Sequence, residues 1–196
     1  MRHIVILICI SLFTVKGIAQ NITYGIMGNL TNTTFDVATG EVSINQNGEL
    51  STHTRNTGFE LNTAIGVYGL FKIDERYHIG VELFYDKTTS TELKGVEVTS
   101  YNFMPYCRTN IIQEYFQLDI GIGLGFSNEL NFIGIGAPEV EKTDLIAKVG
   151  LASKISKFVY LELGAYPSIT WLLEDSMKRT RLYLGVKLPL NMYFKK

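Results

Sequence analysis

The sequence predicts an all-β chain, an eight-stranded antiparallel up-and-down transmembrane β-barrel behind an export signal. Three observations predict it. Apolar residues alternate with small or polar ones over unusually long runs, the connections between these runs alternate in length, and aromatic residues gather near the ends of the apolar face. Strict alternation is a strand signal because successive side chains on a strand point to opposite faces.

Residues 1–19 read as a cleaved secretory signal. Arg2 and His3 give a cationic start, Ile4 to Val15 is apolar apart from Ser11 and Thr14, and Gly17-Ile18-Ala19 supplies the small residues of a cleavage site. The apolar run ends at Lys16, short of the ~20 residues a membrane helix needs. Cleavage after Ala19 removes Arg2 and Lys16, leaving 16 Lys+Arg against 19 Asp+Glu, and a single cysteine, Cys107. One thiol cannot staple an exported domain internally.

The barrel domain is expected over residues 20–196. Tyr24, Ile26, Gly28 and Leu30 begin a first strand; Phe59 to Phe71 and Tyr77 to Tyr85 carry the second and third; Tyr101, Phe103, Pro105 and Cys107 mark a fourth. Phe116 to Phe126 alternate without a break and form the fifth. Leu145 to Leu151 and Val159 to Trp171 follow, and Leu182 to Phe194 closes the set. The links 32–56, 87–95, 128–142 and 174–179 are long or polar, whereas Asp74-Glu75-Arg76, Ile111-Ile112-Gln113 and Ser156-Lys157 are tight. An even-stranded outer-membrane barrel sorts its connections in this way, with short turns on the periplasmic side.

Two aromatic girdles agree with this sorting. Phe59, Tyr85, Tyr101, Phe126 and Trp171 fall toward the long links; Tyr24, Phe71, Tyr77, Phe116 and Phe194 fall toward the short turns. Phe116 and Phe126 are ten positions apart. At ~3.3 Å per residue and a tilt of ~40° that is about 25 Å, the height of an outer-membrane apolar band. In a soluble barrel of lipocalin type the opposite face would have to be wet, yet it alternates glycine with tyrosine and carries isolated charges. Such a face suits a crowded, narrow interior, in which a small addition such as Gly123→Ser is expected to be mild unless the barrel is already full.

Composition excludes other classes. Lys+Arg and Asp+Glu nearly balance and no basic cluster stands out, so nucleic acid is not an expected partner. Two histidines beyond the signal and one thiol do not make a metal site, and no cofactor is expected. The glycines of Gly121-Ile122-Gly123-Leu124-Gly125 sit at even spacing inside a strand, not in a dinucleotide loop. Ser51, His53 and Glu49 are residue types that lipid hydrolases use, but in a polar link they read as a solvated hairpin tip, and the chain is not expected to be an enzyme.

The strand Tyr77-His78-Ile79-Gly80-Val81-Glu82-Leu83-Phe84-Tyr85-Asp86-Lys87, the segment Phe103-Met104-Pro105-Tyr106 and the run Asp119 to Phe126 resemble the outer-membrane β-barrel proteins of PorT type, compact barrels related in architecture to OmpA and OmpX. The resemblance implies an eight-stranded barrel in a Gram-negative outer membrane and permits a role as an accessory to secretion or envelope assembly. It implies no catalytic residues. The chain departs from barrels that end on an aromatic residue, since Lys195 and Lys196 follow Phe194.

By parity Glu60, Glu82, Asp119 and Glu162 face inward with Arg108, Lys148 and Lys187, and an interior ion-pair network of these seven is expected to fill the barrel. The resulting expectation is a small envelope barrel with a plugged interior and a structural or interaction role. Its partners would be outer-membrane lipid and a protein met through the links 32–56 and 128–142. The alternatives are porin-like transport or binding of a small solute or amphiphile, and a lipid-modifying enzyme at the rim.

Overall fold

The computed structural model describes residues 21–44, 50–92, 96–113, 115–131, 143–170, 172 and 177–191, and the side chains of all of these except 39–44, 50–54, 96 and 128–131. The signal segment 1–19, the link 132–142, and the girdle residues Trp171 and Phe194 with Lys195 and Lys196 lie outside the described residues.

Among the described residues nine strands follow in order: β1 (Ile22–Ile44), β2 (Leu50–Asn56), β3 (Glu60–Lys72), β4 (Tyr77–Ser90), β5 (Val96–Ile112), β6 (Phe116–Asn131), β7 (Thr143–Ser156), β8 (Val159–Pro167) and β9 (Met177–Pro189). Each strand from β3 to β9 pairs antiparallel with the next, and β1 pairs with both β3 and β9. Eight strands therefore close on themselves. At the closure Gly28 is opposite Ile65 on one side and Val186 on the other. Closure removes sheet edges, which a lipid environment cannot satisfy.

Several boundaries differ from the sequence reading. The link 32–56 is largely strand: β1 runs on to Ile44 and pairs with β2 from Asp36↔Asn56 to Ile44↔Leu50. Among the described residues β9 accompanies β1 as far as Val37↔Met177, and the β1–β2 ribbon runs on past that pair by about 23 Å, seven residues at ~3.3 Å each. An alternation reading misses such a ribbon because its apolar run is short and broken: Ala38, Val42 and Ile44 alternate with Thr39, Glu41 and Ser43, but Gly40 and a shift in register fall between Ala38 and Val42. Its Val, Ile and Thr content still favours extended backbone. The last strand starts at Met177 rather than Leu182, and the seventh barrel strand ends at Pro167 rather than reaching Trp171.

Alternation sorts the side chains by face. Ile65, Ile120, Ile122, Leu163, Leu184 and Val186 point outward and are exposed, with Leu163 at 60% and Ile122 at 59%. An apolar surface this continuous on a soluble monomer would drive aggregation; around a closed barrel it forms a lipid-facing belt. Tyr24, Phe59, Phe71, Tyr77, Tyr85, Tyr101, Phe116 and Phe126 are all exposed on this outer side, and the Tyr85 and Tyr101 rings meet at 5.4 Å. Inside, Tyr68, Phe84, Tyr106, Tyr160, Tyr166 and Tyr183 are buried.

The inward glycines have no spare room. A Cβ on Gly123 would overlap the Phe103 carbonyl oxygen and lie 2.8 Å from Met104 Cα; one on Gly164 would lie 2.7 Å from Gly150 Cα. These atoms are backbone and cannot swing aside, so Gly123→Ser is not the mild change that parity alone suggested. Outward-facing Gly28, by contrast, has nothing within 4 Å of its missing Cβ.

The turns at the short end are built locally. Asp74 Oδ1 accepts from the amides of Arg76 (2.7 Å) and Tyr77 (2.6 Å), an Asx turn that reverses the chain between β3 and β4. These amides, Tyr77 first and then Arg76, hold the Asp74 carboxyl below its usual pKa. Between β5 and β6 the chain turns through Gln113 at φ 45°.

Candidate functional site

The barrel interior is the most chemically specialised part of the chain. Its inner half, toward the short turns, gathers six charged side chains from six different strands. Arg108 on β5 donates to Asp119 on β6 through Nε to Oδ1 and Nη2 to Oδ2, each at 2.7 Å, and its Nη2 also donates to Glu162 on β8. Lys187 Nζ on β9 lies 2.6 Å from Glu82 Oε1 and 2.7 Å from Glu162 Oε1. Lys148 on β7 pairs with Glu82 and lies 3.2 Å from Asp119 Oδ2. All six are at most 2% exposed, so each charge depends on these partners rather than on water.

Aromatic groups wall this cluster. Tyr166 donates to Glu82 Oε2 at 2.9 Å, Lys187 Nζ donates to Tyr106 Oη at 3.1 Å, and Lys148 Nζ sits 4.0 Å above the Tyr106 ring. Tyr166 stacks on Tyr183 at 4.4 Å and tilts against Phe84 at 5.2 Å. The carboxylate oxygens of Glu82, Asp119 and Glu162 come close enough together to suggest a metal cage. The Lys148 and Lys187 ammonium groups and the Arg108 guanidinium pair with all three carboxylates, so the chain itself supplies the countercharge.

Of the seven residues expected in the network, six are brought together and Glu60 is not. Glu60 stands at the first position of β3, partly exposed at the mouth, where its Oε1 accepts from the amide and hydroxyl of Thr91. It fastens the long-link end of β4 to β3. Parity places a side chain on a face but not at a height, and Glu60 is too far along the barrel axis to reach the inner cluster.

A second cluster, in the outer half, went unread in the sequence. Asp86 on β4 accepts from Arg181 Nη1 at 2.9 Å and Arg179 Nη1 at 3.3 Å, and also from Asn102 and Thr88. Asp144 on β7 accepts from Ser168 Oγ at 2.6 Å and lies 3.8 Å from Arg179. The same parity rule could have found it: Asp86 shares a face with Glu82, and Arg179 and Arg181 share one with Lys187. These residues were assigned to strand ends and links because the strands run further than their apolar alternation. The outer cluster is less completely paired, since Arg179 Nε and Arg181 Nε and Nη2 have no acceptor among the described residues.

Together the clusters bury Glu82, Asp86, Asp119, Asp144 and Glu162 against Arg108, Lys148, Arg179, Arg181 and Lys187, so the buried charge among the described residues sums to zero. Phe35, Val98, Leu172 and Met177 are buried beyond the outer cluster. Of the residue types considered for lipid chemistry, the side chains of Ser51 and His53 and all of Glu49 lie outside the described residues.

No family profile matches the chain, and no curated protein sequence does. Solved structures do match. Neisserial surface protein A is 10% identical, with 85% of this chain and 97% of that one aligned and a TM-score of 0.51. Ail, the attachment invasion locus protein of Yersinia pestis, is 13% identical over 85% of this chain and 97% of its own, with a TM-score of 0.51. A second Ail structure, in complex with the heparin analogue sucrose octasulfate, is 14% identical over 86% and 98%, with a TM-score of 0.52. At these identities the likeness is one of fold: the chain is a closed, all-antiparallel eight-stranded β-barrel of the kind these small outer-membrane proteins form.

Proposed function

We propose that this chain is an outer-membrane barrel with a side-chain-filled, non-conducting interior, whose role is to hold the projecting β1–β2 ribbon outside the cell as a surface for a protein partner. The observation that carries the reading is the interior itself: two neutral ion-pair clusters and a tyrosine stack occupy the lumen from both ends. Eight strands leave an interior only wide enough for side chains, and water channels need about twice as many. A rigid, closed scaffold that carries one long ribbon is suited to presentation rather than to passage. Export through the 1–19 signal, and the resemblance to PorT-type barrels with accessory roles in secretion or assembly, accord with this reading.

Planar-bilayer recording tests the closed interior and surface labelling tests the ribbon. The purified protein is expected to give no steady large conductance. On intact cells, an epitope tag at Asn47 is expected to be reachable and one at Asp74 not. Stable open channels would replace this reading with transport, and the reverse labelling pattern would invert the topology.

A further inference from the structure

Five unpaired polar atoms gather on one side of the outer half of the lumen. Arg179 Nε, Arg181 Nε and Nη2, and the hydroxyls of Thr31 and Thr33 have no hydrogen-bond partner among the described residues, and their side chains are at most 2% exposed. All lie on β1 and β9, the two strands that close the barrel, and Thr33 stands directly opposite Arg181. Arg108, equally buried, spends its Nε and Nη2 on Asp119 and Glu162. Arg181 commits only its Nη1, to Asp86 and Asn102.

Reach explains the difference. Arg179 and Arg181 extend from β9 to Asp86 on β4, past β1 and β3, whose inward side chains at this height are the short Thr31, Thr33 and Asn62. Phe35, the next inward residue of β1 toward the mouth, is 1% exposed and stands between these atoms and the outside. Buried donors of this kind call for an acceptor. An anion would satisfy them, but Asp86 and Asp144 already balance Arg179 and Arg181, so it would bring an uncompensated buried charge. A neutral guest that both accepts and donates carries no such cost.

We infer that this side of the outer half is a water-binding site, in which a few ordered waters bridge Arg179 and Arg181 to the threonine hydroxyls of β1. Residues directly opposite in an antiparallel pair hold their Cβ atoms about 5 Å apart, so one water spans the distance from the Arg181 stem to the Thr33 hydroxyl. Each such water makes about three hydrogen bonds. The site deepens the closed-interior reading and rests on it: the waters are bound in place, and the tyrosine stack lies beneath them, with the Tyr166 ring 5.6 Å from the Arg181 guanidinium.

NMR of the ¹⁵N-labelled, detergent-folded protein tests it, because each arginine Hε gives its own signal. Rotating-frame NOEs, whose sign separates bound water from proton exchange, are expected from water to Hε of Arg179 and Arg181 and not to Hε of Arg108. Thr31→Val with Thr33→Val keeps the side-chain shape and removes both hydroxyls. It is expected to abolish the water NOE at Arg181 and to lower the urea midpoint. Hε signals of Arg179 and Arg181 as free of water contact as that of Arg108 would overturn the site and leave the closed interior standing. A double-valine variant with a raised midpoint would do the same, since removing a dry, unpaired hydroxyl stabilises. Water contact at all three arginines would mean a lumen wet from end to end and would overturn both.

Discussion

Arg108 and Asp119 stand directly opposite each other on β5 and β6 and meet through two parallel hydrogen bonds of 2.7 Å, both groups almost wholly buried. A buried pair of this kind is expensive to break from one side because the survivor keeps its charge without water. Arg108→Met is therefore expected to lower the stability of the detergent-folded barrel by about 3–5 kcal/mol in urea unfolding. Adding Asp119→Leu is expected to restore part of the loss and not all of it, since Glu162 also loses Arg108 and Lys148 loses Asp119.

In the outer cluster Asp86 serves two guanidinium groups, whereas among the described residues Arg181 makes its carboxylate contact through Nη1 alone. Asp86→Leu leaves Arg179 beside Asp144 and takes away the carboxylate that Arg181 contacts, and is expected to lower the thermal midpoint more than Arg181→Met does. Equal midpoints for the two variants would mean that Asp86 is not the hub of this cluster.

The two faces of the sheet give glycine opposite meanings. Gly123→Ala and Gly164→Ala drive a methyl group into neighbouring backbone and are expected to cost about 1–3 kcal/mol, the usual penalty of overpacking. Gly28→Ala meets open space on the lipid side and is expected to be neutral or stabilising by about 0.5 kcal/mol, because alanine restricts the unfolded chain. Folding titrations into vesicles read both.

On the belt, Val186 is outward-facing and opposite Gly28. Val186→Lys is expected to cost about 2–4 kcal/mol of insertion stability and Ile120→Asp less. If Val186→Lys inserts and resists protease like the parent, the belt does not face lipid.

At the β3–β4 turn, Asp74 holds the amides of Arg76 and Tyr77 as a carboxylate. Its pKa is lowered by folding, so the contribution is complete above the unfolded value of ~3.9 and is lost as pH falls through the lower folded value. Amide exchange at Arg76 and Tyr77 is expected to accelerate only below that range in the parent, and at every pH in Asp74→Ala.

The barrel architecture is legible in the chain before it folds, because a period of two is a local property. Once Phe116 to Phe126 and Leu182 to Leu188 alternate, every side chain between them is assigned to lipid or lumen, and the sorted connections follow. Parity also named six of the residues that meet in the inner cluster. Which of them touch is set by the closed barrel. Height along the axis depends on the register and stagger of all eight strands, so Glu60 shares a face with Glu82 yet fastens the mouth, while Asp86 and Arg181, far apart in the chain, come within 2.9 Å. The β1–β2 ribbon needed the structure for a different reason: its short apolar run of Ala38, Val42 and Ile44 is interrupted at Gly40, where the register shifts, and the backbone pairing from Asp36↔Asn56 to Ile44↔Leu50 is what joins it into one ribbon.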